Sequence, residues 1–333
     1  MGSWEGTPVL VAGGAGLIGS HLARTLLEKG AEVCVVDNLS SGSLKNIEDI
    51  QDKADVQIAD LRDRDVCNRL VKGKEQVFQL AANMGGIGYI TEIGADIMRD
   101  NILINVNMLQ SSADNGVQRY FFASSACIYP VGAQTVADVI PLREEDAIPA
   151  EPNEFYGWEK LITEKLCEAY RKDYGLATRI ARFHNVFGEV HTAFDPLKGK
   201  APAHLVMKAL RYPEESFVVW GDGKQTRSFL YITDCVQAIL TLMESDCTEP
   251  LNIGSDRLVT IDEMVSILAG ISGKDIRVEY DLAKPQGVRG RNADLTMVKR
   301  VLGWAPVISL EEGMRSMYTW AQERMCIESF ATL

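Results

Sequence analysis

Three glycines at positions 13, 16 and 19 constrain the fold of this chain more than any other feature of the sequence. The preceding residues 8–12 are apolar and predict a buried strand, and residues 21–29 have the apolar spacing of a helix. Glycines at this spacing permit a tight turn, close approach of the backbone to a pyrophosphate, and close packing of helix on strand. The order of strand, glycine turn and helix indicates a dinucleotide-binding unit. The alternative is a glycine turn in a βαβ unit that binds nothing.

The residue that ends the second predicted strand indicates which dinucleotide is bound. Residues 32–36 predict that strand, and Asp37 follows it at the distance from Gly19 where an acidic side chain accepts from ribose hydroxyls. A carboxylate there repels a 2′-phosphate, and no arginine follows in residues 38–41. The sequence therefore predicts NAD rather than NADP. Leu17 and Ile18 complete the predicted cofactor-binding turn.

Two further strands extend the pattern into a sheet. Residues 56–59 end at Asp60 and Leu61, and residues 76–80 end at Ala81 and Ala82, where small side chains let a cofactor lie across the strand ends. Strands that alternate with helices at this spacing predict a Rossmann-type, doubly wound parallel sheet. The fold class is therefore α/β.

The next strand carries polar groups at its end. Residues 119–123 predict a strand, and the run SSACIYP at residues 124–130 follows, so that Cys127 lies near the carboxyl end of the sheet. Catalytic groups of open α/β sheets lie at such ends. The alternative is that Cys127 is a buried structural cysteine, which is common.

Tyr156 and Lys160 lie four residues apart on a predicted helix and so share one face. A lysine ammonium beside a phenol favours the phenolate, so we expect the pKa of Tyr156 to be lowered. A tyrosine in that state can take a proton from an alcohol while hydride leaves for NAD. The hydroxyl of Ser125 can hold the same alcohol oxygen.

Composition excludes several classes of protein. The formal net charge of −12 argues against nucleic acid or an anionic membrane as a partner. The seven cysteines show no paired spacing, which favours a reducing compartment, and no apolar run approaches a membrane span. We expect a cytoplasmic protein. His184 is interpreted as a packing residue, and we expect no metal.

The second half of the chain supplies candidate contacts for an anionic ligand. Residues 84–89 form a glycine-rich loop that includes Gly86, where the backbone can approach a ligand, although a plain connector would look the same. Arginines at loops of an acidic protein are interpreted as a diphosphate clamp, although each alone is more often a surface charge. The candidates are Arg227, Arg289 and Arg291, with Gln225 and Trp220 beside the first of them.

The order of elements predicts two interleaved domains. Residues 1–183 and 228–252 form the predicted NAD-binding Rossmann domain, and residues 184–227 and 253–333 form a smaller mixed α/β substrate domain. Residues 261–268 and 310–327 predict amphipathic helices, which are interpreted as packing or dimer surfaces.

At this point the chain resembles the extended short-chain dehydrogenase/reductase family, whose members act on nucleotide sugars. The resemblance covers nearly the whole chain. Long runs resemble the branch of that family that inverts C3 and C5 of GDP-mannose. They are residues 82–88 (ANMGGIG), 124–130 (SSACIYP), 182–185 (RFHN), 200–203 (KAPA), 221–229 (GDGKQTRSF) and 287–292 (GVRGRN).

The resemblance implies the reaction and the roles of residues. Tyr156, with NAD that is tightly bound and regenerated in each turnover, oxidises the C4 hydroxyl to a ketone, which acidifies the hydrogens on C3 and C5. Cys127 and Lys200 then remove and return protons from opposite sides of the ring. Lys160 and Ser125 support the tyrosine, and Asn185 bonds the diphosphate. The resemblance also implies a homodimer.

The sequence leaves other interpretations open. The 191–199 loop departs most from the pattern, so GDP-mannose could be replaced by a close relative, and Lys200 by itself reads as a surface lysine. The runner-up function is a 4-epimerase of UDP- or GDP-sugars, and a third is a non-catalytic NAD-sensing protein. In related 4,6-dehydratases carboxylates stand where this chain has Ala126 and Cys127, which argues against dehydration.

Overall fold

The central element of the fold is a parallel sheet. The computed structural model describes residues 4–194, 199–284 and 287–331. Within these ranges the sheet has seven strands in the order β11-β6-β5-β4-β1-β2-β3, all parallel. The strands are β1 (Pro8–Ala12), β2 (Glu32–Asp37), β3 (Asp55–Ile58), β4 (Gln76–Gln79), β5 (Arg119–Ser125), β6 (Ala177–Phe183) and β11 (Leu251–Ile253). The predicted Rossmann-type, doubly wound fold is confirmed.

Helices cover both faces of this sheet. The first part of the chain contributes α1 (Leu17–Glu28), α2 (Arg64–Val71), α3 (Ile87–Glu92), α4 (Gly94–Asp114) and α5 (Phe155–Tyr174), and a later segment adds α7 (Ile232–Glu244). One apolar core lies between the sheet and α1 with α7, and a second lies between the sheet and α2, α4 and α5. The strand order reverses between β1 and β4, and ligands of such sheets bind at that switch point, outside the carboxyl ends of the strands.

A smaller group of elements packs beyond these strand ends. Its helices are α6 (Ala201–Arg211), α8 (Ile261–Ser272) and α10 (Leu310–Ala331), whereas α9 (Thr296–Leu302) packs against β11 of the central sheet. Its short strands are β7 (Val186–Phe187), β8 (Phe217–Trp220), β9 (Thr226–Arg227), β10 (Leu230–Tyr231), β12 (Val259–Thr260), β13 (Val278–Asp281) and β14 (Gly290–Arg291). A third apolar core joins α6, α8 and α10. The two helices that were interpreted as packing or dimer surfaces thus bury their apolar faces in this core.

The glycine-rich run at residues 84–89 differs from its prediction as a loop. Only its first residues are loop, because α3 begins at Ile87. The extended backbone of Gly86 precedes the helix, and a Cβ at that position would lie 3.1 Å from the carbonyl oxygen of Gly199. The run therefore approaches the segment that leads into Lys200.

Candidate functional site

The carboxyl end of β5 places a hydroxyl next to a thiol. β5 ends at Ser125, and a single 3₁₀ turn, Ala126–Ile128, follows it. The backbone N–H of Cys127 donates to Ser125 Oγ at 3.2 Å. The Ser125 hydroxyl also bonds the side chains of Cys127 and Tyr156. Ser125 therefore links the two groups that the sequence predicts to do the chemistry.

Helix α5 brings Tyr156 to this strand end. Tyr156 is in the first turn of the helix and is buried, and Gly157 lies directly against the Cys127 backbone. A Cβ at residue 157 would lie 2.2 Å from the Cys127 carbonyl oxygen. Only glycine permits the helix to approach the strand end this closely.

The expected lowering of the Tyr156 pKa is wrong for this structure. Burial raises the pKa of Tyr156 well above 10, the nearby Glu159 and Cys127 act in the same direction, and the Ser125 hydrogen bond opposes them. The Lys160 ammonium lies 5.4 Å from the centre of the Tyr156 ring and 3.6 Å from Glu159 Oε1. A carboxylate so close to the lysine offsets much of its effect on the phenol.

The carboxylate of Glu159 is a functional neighbour that the sequence analysis missed. Glu159 is fully buried, and burial raises its pKa while Lys160 lowers it. Asn101 Nδ2 donates to its Oε1 at 2.9 Å, and Asn105 Nδ2 approaches its Oε2 at 3.4 Å. The signal in the sequence that could have indicated a buried polar partner is the pair of asparagines four residues apart on the buried face of α4. Buried amides require hydrogen-bond partners.

Cys127 is half-buried and its thiol is in contact with positive charge. Arg291 Nη1 donates to Cys127 Sγ at 3.3 Å. Burial alone would raise the pKa of the thiol, but the charge and hydrogen bond of Arg291, the bond to Ser125 and the charge of Lys200 together lower it. A thiol in such surroundings is a reactive one. The alternative of a buried structural cysteine does not fit these contacts.

Lys200 interacts electrostatically with that thiol. It is the N-cap residue of α6, with extended backbone, and its side chain is open to solvent. The protein atoms around it nevertheless lower its pKa by desolvation, while Cys127 and Cys235 oppose the shift. We attribute the combination of exposure and desolvation to a position in a cleft that water can enter. The side chain of Lys200 is thus within electrostatic reach of Cys127.

The glycine turn has the geometry of a dinucleotide cradle. Gly13 has a φ of +74°, and a Cβ there would lie 2.8 Å from the backbone nitrogen of Ala81. A Cβ at Gly19 would lie 2.2 Å from the Gly13 carbonyl oxygen, so helix and turn are in close contact. Near Gly16, by contrast, only that carbonyl comes within 4 Å, at 3.3 Å. The turn therefore leaves space at Gly16, where the protein backbone is expected to contact a bound ligand. Leu17 and Ile18 follow as the first residues of α1.

Asp37 ends β2 next to this turn. Its Oδ2 accepts from the Ala15 N–H at 3.0 Å and its Oδ1 from the Leu39 N–H at 2.8 Å. Burial raises the pKa of Asp37, and these two bonds oppose the shift. A carboxylate fixed in this way can accept from ribose hydroxyls through its remaining lone pairs, so the residues present fit NAD.

The ends of β3 and β4 also border the groove. Asp60 pairs with Arg62 at 2.6 Å, which lowers the pKa of Asp60, and Leu61 is buried. Ala81 and Ala82 follow β4 and are half-buried. The Ala81 backbone contacts the position of Gly13, as described above, so the predicted cofactor residues come together at the switch point of the sheet.

The arginines do not form the single clamp that the sequence predicts. Arg289 makes a two-pronged ion pair with Asp222 at 2.8 and 2.9 Å, which lowers the pKa of Asp222 to about 2. Arg291 reaches the Cys127 thiol instead. Arg227 is held by the carbonyls of Thr226 and Val288, and its burial, with the charge of Arg291, lowers its pKa to about 9. Residue spacing does not show which acidic or soft partner each arginine meets, and diphosphate binding by Arg227 and Arg289 stays a prediction.

The remaining predicted substrate contacts surround the same loops. Gln225 is buried and donates from Nε2 to the Trp220 carbonyl at 3.1 Å, whereas its Oε1 has no hydrogen-bond partner. Trp220 is 40% exposed, and Lys284 Nζ lies 5.7 Å from the centre of its ring. Asn185 has a φ of +46° and donates to the Ser228 carbonyl. Residues 195–198 of the divergent loop lie outside the described residues.

His184 is fully buried, as its interpretation as a packing residue requires. Its Nε2 contacts Asn252 Oδ1 at 3.0 Å, and burial lowers the pKa of His184 to about 3. Among the described residues, no three His, Cys, Asp or Glu side chains gather in a metal-binding cluster. In the same part of the chain, none of the helices is both long and apolar enough to cross a bilayer.

Comparison with known proteins agrees with this geometry. The sequence profile described as "NAD dependent epimerase/dehydratase family" matches residues 9–254. GDP-mannose 3,5-epimerase 1 of Oryza sativa subsp. japonica is 42% identical over 322 residues, which are 95% of this chain and 82% of that protein. GDP-mannose 3,5-epimerase of Arabidopsis thaliana is 41% identical over 326 residues, which are 96% and 84% of the two chains.

A solved structure shows the same architecture. The crystal structure of UDP-glucose 4-epimerase with UDP-glucose from Thermotoga maritima superimposes with a TM-score of 0.87 at 31% sequence identity. The match covers 96% of this chain and all of that one.

Proposed function

This chain belongs to the NAD dependent epimerase/dehydratase family, and from that premise we propose that it is an isomerase that inverts C3 and C5 of GDP-mannose or a close relative. The single observation that carries the proposal is the position of the Cys127 thiol beside Ser125 and Tyr156, where the charge of Lys200 also acts to lower the pKa of the thiol. Inversion at carbon needs two different proton carriers on opposite faces of the ring. A thiol and an amine, both with pKa values shifted towards neutrality, suit that task.

The residues of the chain divide the work as follows. The groove formed by the glycine turn and Asp37 would hold NAD, which when bound would supply the oxidation of C4 and its reversal. Tyr156 is the proposed acceptor of the C4 hydroxyl proton, which requires its raised pKa to fall when the positive charge of the bound nicotinamide is present beside Lys160. Ser125 holds the same oxygen by a hydrogen bond. With a ketone at C4, the hydrogens on C3 and C5 become acidic. Cys127 and Lys200 then remove a proton from one face and return one to the other.

The cofactor is retained through the whole cycle in this proposal, because the hydrogen removed from C4 must return to it. The glycines and Asp37 bind the pyrophosphate and the ribose. Gly86, Asn185, Trp220, Gln225, Arg227 and Arg289 bind the nucleotide sugar. We also propose that residues 1–183 with 228–252 act as the NAD-binding domain and that residues 184–227 with 253–333 bind the substrate. The proposed location is the cytoplasm.

The proposed assembly is a homodimer formed by α4 and α5. Exposed apolar side chains lie on these two helices, whereas the helices interpreted earlier as dimer surfaces are buried in the third core. The exposed apolar side chains are Leu103 and Val106 on α4 and Phe155, Trp158 and Ile162 on α5. An open apolar groove adjoins them, lined by Ala95, Met98, Arg99, Ile102, Leu103 and Phe155. Two copies related by a two-fold axis would cover this surface.

The experiment that tests the function is turnover in heavy water. The purified protein is incubated with GDP-mannose in D₂O without added cofactor, and the sugar is analysed by NMR and mass spectrometry. Deuterium at both C3 and C5 is the expected result. Turnover with deuterium at neither carbon would overturn the proposal in favour of a 4-epimerase, and UDP-glucose in a parallel incubation would identify its substrate.

A further inference from the structure

Cys127 has a cationic partner that the proposed proton exchange does not use. Arg291 Nη1 donates to Cys127 Sγ at 3.3 Å, and Arg291 Nε donates to Gln134 Oε1 at 2.5 Å. The guanidinium is therefore held at two of its nitrogens. Two fixed contacts on one planar group leave it little freedom to turn away from the sulfur.

Gln134 is itself fixed in place. Its side chain is buried, and its Nε2 donates to the carbonyls of Tyr129 and Pro130 at 3.1 Å each. These two bonds orient the amide so that Oε1 faces Arg291. These carbonyls belong to the segment that also carries Cys127. The same segment therefore positions both the thiol and, through Gln134, the guanidinium.

The backbone of Arg291 is anchored from the other side. Arg291 pairs with Arg227 in β14 and β9, and its carbonyl accepts from the Ser228 N–H at 3.2 Å. The next residue, Asn292, accepts at its carbonyl from the Leu142 N–H at 3.0 Å. The strand that delivers Arg291 therefore belongs to the substrate-side elements, while the thiol belongs to the central sheet.

We propose that Arg291 is a positioning residue that holds the Cys127 sulfur in place beside a fixed positive charge, where it can act as the base of the proposed epimerisation. An arginine keeps its charge across the working range of an enzyme and cannot exchange its proton with the sulfur. A lysine in this place could protonate the thiolate and compete with Lys200. The guanidinium therefore stabilises the thiolate without joining the proton transfer. This inference rests on the proposed function for its purpose but not for its measurement.

The electrostatic balance at the thiol agrees with this role. Burial raises the pKa of Cys127, and the largest opposing influence is the charge of Arg291, followed by the bonds from Ser125 and Arg291 and the charge of Lys200. Removal of the arginine charge would leave burial opposed mainly by a neutral hydroxyl and a more exposed amine. We therefore expect the pKa of the thiol to be higher without Arg291.

The test measures the ionisation of the thiol without any substrate. The holoenzyme and its Arg291→Gln variant are alkylated with iodoacetamide between about pH 5 and 9.5, and the modified Cys127 peptide is followed by mass spectrometry. The pH at which alkylation of Cys127 reaches half its maximal rate is expected to be at least about one unit higher in the variant. Below that pH the variant should react about tenfold more slowly than the parent. Arg291→Lys keeps the charge and should shift the profile less.

Two further variants separate this role from general stability. Gln134→Leu keeps Arg291 but removes its anchor, so a smaller shift in the same direction is expected. Arg257→Gln removes an exposed arginine whose partner is Glu311, and it should leave the Cys127 profile unchanged. Circular dichroism and the melting temperature establish that each variant is folded. If Arg291→Gln does not fold, the pH dependence of Cys127 alkylation in Gln134→Leu is used to test the inference instead.

A profile for folded Arg291→Gln that superimposes on that of the parent would overturn the inference. So would an unshifted Gln134→Leu profile where Arg291→Gln cannot be obtained folded. Failure of the proposed function looks different, because the parent protein would then incorporate no deuterium at C3 or C5 whatever its alkylation profile. The thiol measurement therefore stands whether or not the substrate is GDP-mannose.

Discussion

Gly157 of helix α5 touches the backbone of Cys127, with the position of a Cβ only 2.2 Å from the Cys127 carbonyl oxygen. This contact fixes the distance between the tyrosine and the thiol. Gly157→Ala is therefore expected to push the helix from the strand end, lower the free energy of unfolding by about 1–3 kcal/mol and reduce deuterium incorporation. Thermal unfolding and exchange assays measure the two effects.

The matched control for that variant is Gly270→Ala. Gly270 also lies within a helix, α8, but nothing comes within 4 Å of its Cβ position. Alanine there should be neutral or stabilising by up to about 1 kcal/mol, because it only improves helix propensity. Equal destabilisation by both substitutions would contradict the importance of the Gly157 contact.

Cys127→Ala is expected to abolish proton exchange at carbon while leaving oxidation at C4 intact. The reason is that the thiol removes a carbon-bound proton, whereas Tyr156 and Ser125 act on the hydroxyl. Absorbance at the wavelength of reduced nicotinamide, with GDP-mannose present, should still rise. Cys247→Ala, which removes another half-buried free thiol, serves as the control. Loss of both activities in Cys127→Ala would mean that the thiol is structural.

Gly13→Ala is expected to weaken NAD binding at least tenfold. Both the positive φ of Gly13 and the 2.8 Å distance to the Ala81 nitrogen oppose a side chain there. Gly73→Ala is the control, since Gly73 has a similar φ of +77° but nothing near its Cβ position. Both variants should lose about 1 kcal/mol of stability from backbone strain. Calorimetric titration with NAD distinguishes them, and equal affinities would refute the cradle geometry.

The stability of the protein should fall with acidity in a window set by His184. The folded pKa of His184 is about 3, below the ordinary value of 6.5, so between these values the unfolded chain binds more protons than the folded one. Stability is therefore lost as pH falls from 6.5 towards 3. At pH 5 the loss attributable to this histidine is about 2 kcal/mol.

His184→Gln tests that expectation, because glutamine can contact Asn252 without titrating. Urea unfolding at pH 7 and pH 5 should show a smaller decline for the variant than for the parent, even if the variant is less stable at pH 7. Parallel declines would show that other groups cause the acid sensitivity.

Leu103→Glu on α4 should convert the proposed dimer into monomers. Leu103 is 43% exposed, and a charge at a buried interface position costs free energy without a partner. Val301→Glu on α9 is the control, since Val301 is similarly exposed at 41% but lies away from α4 and α5. Analytical ultracentrifugation gives the mass of each variant. A monomeric parent protein would contradict the proposed assembly.

The sequence predicted the central sheet well because its signals are local. The apolar runs of β1 and β2 and the glycine turn between β1 and α1 each show their structure within a few residues. Boundaries were less accurate where two signals overlap. The first helix begins at Leu17 rather than residue 21, because the glycine turn and the helix share residues. The run at residues 84–89 became partly helical for a similar reason, since its glycines hid the start of α3.

The candidate site was predictable as a set of residues but not as an electrostatic system. Ser125, Tyr156 and Lys160 were found from motif and spacing. Glu159 is next to Lys160 in sequence, but its burial against α4 and its effect on the Tyr156 pKa depend on tertiary packing. Arg291, which contacts the Cys127 thiol, comes from a segment 164 residues away. The Tyr156 pKa was predicted in the wrong direction because a pair on one helix face says nothing about burial or a neighbouring carboxylate.

The position of β11 at the edge of the sheet has a consequence for synthesis on the ribosome. β11 pairs with β6, although α6 and several short strands separate the two along the chain. The nascent polypeptide therefore exposes an open strand edge at β6 until residue 253 has emerged from the exit tunnel. Open edges of this kind recruit other chains. Shortened products that stop before this strand should thus aggregate, and chaperones would have to shield them during translation.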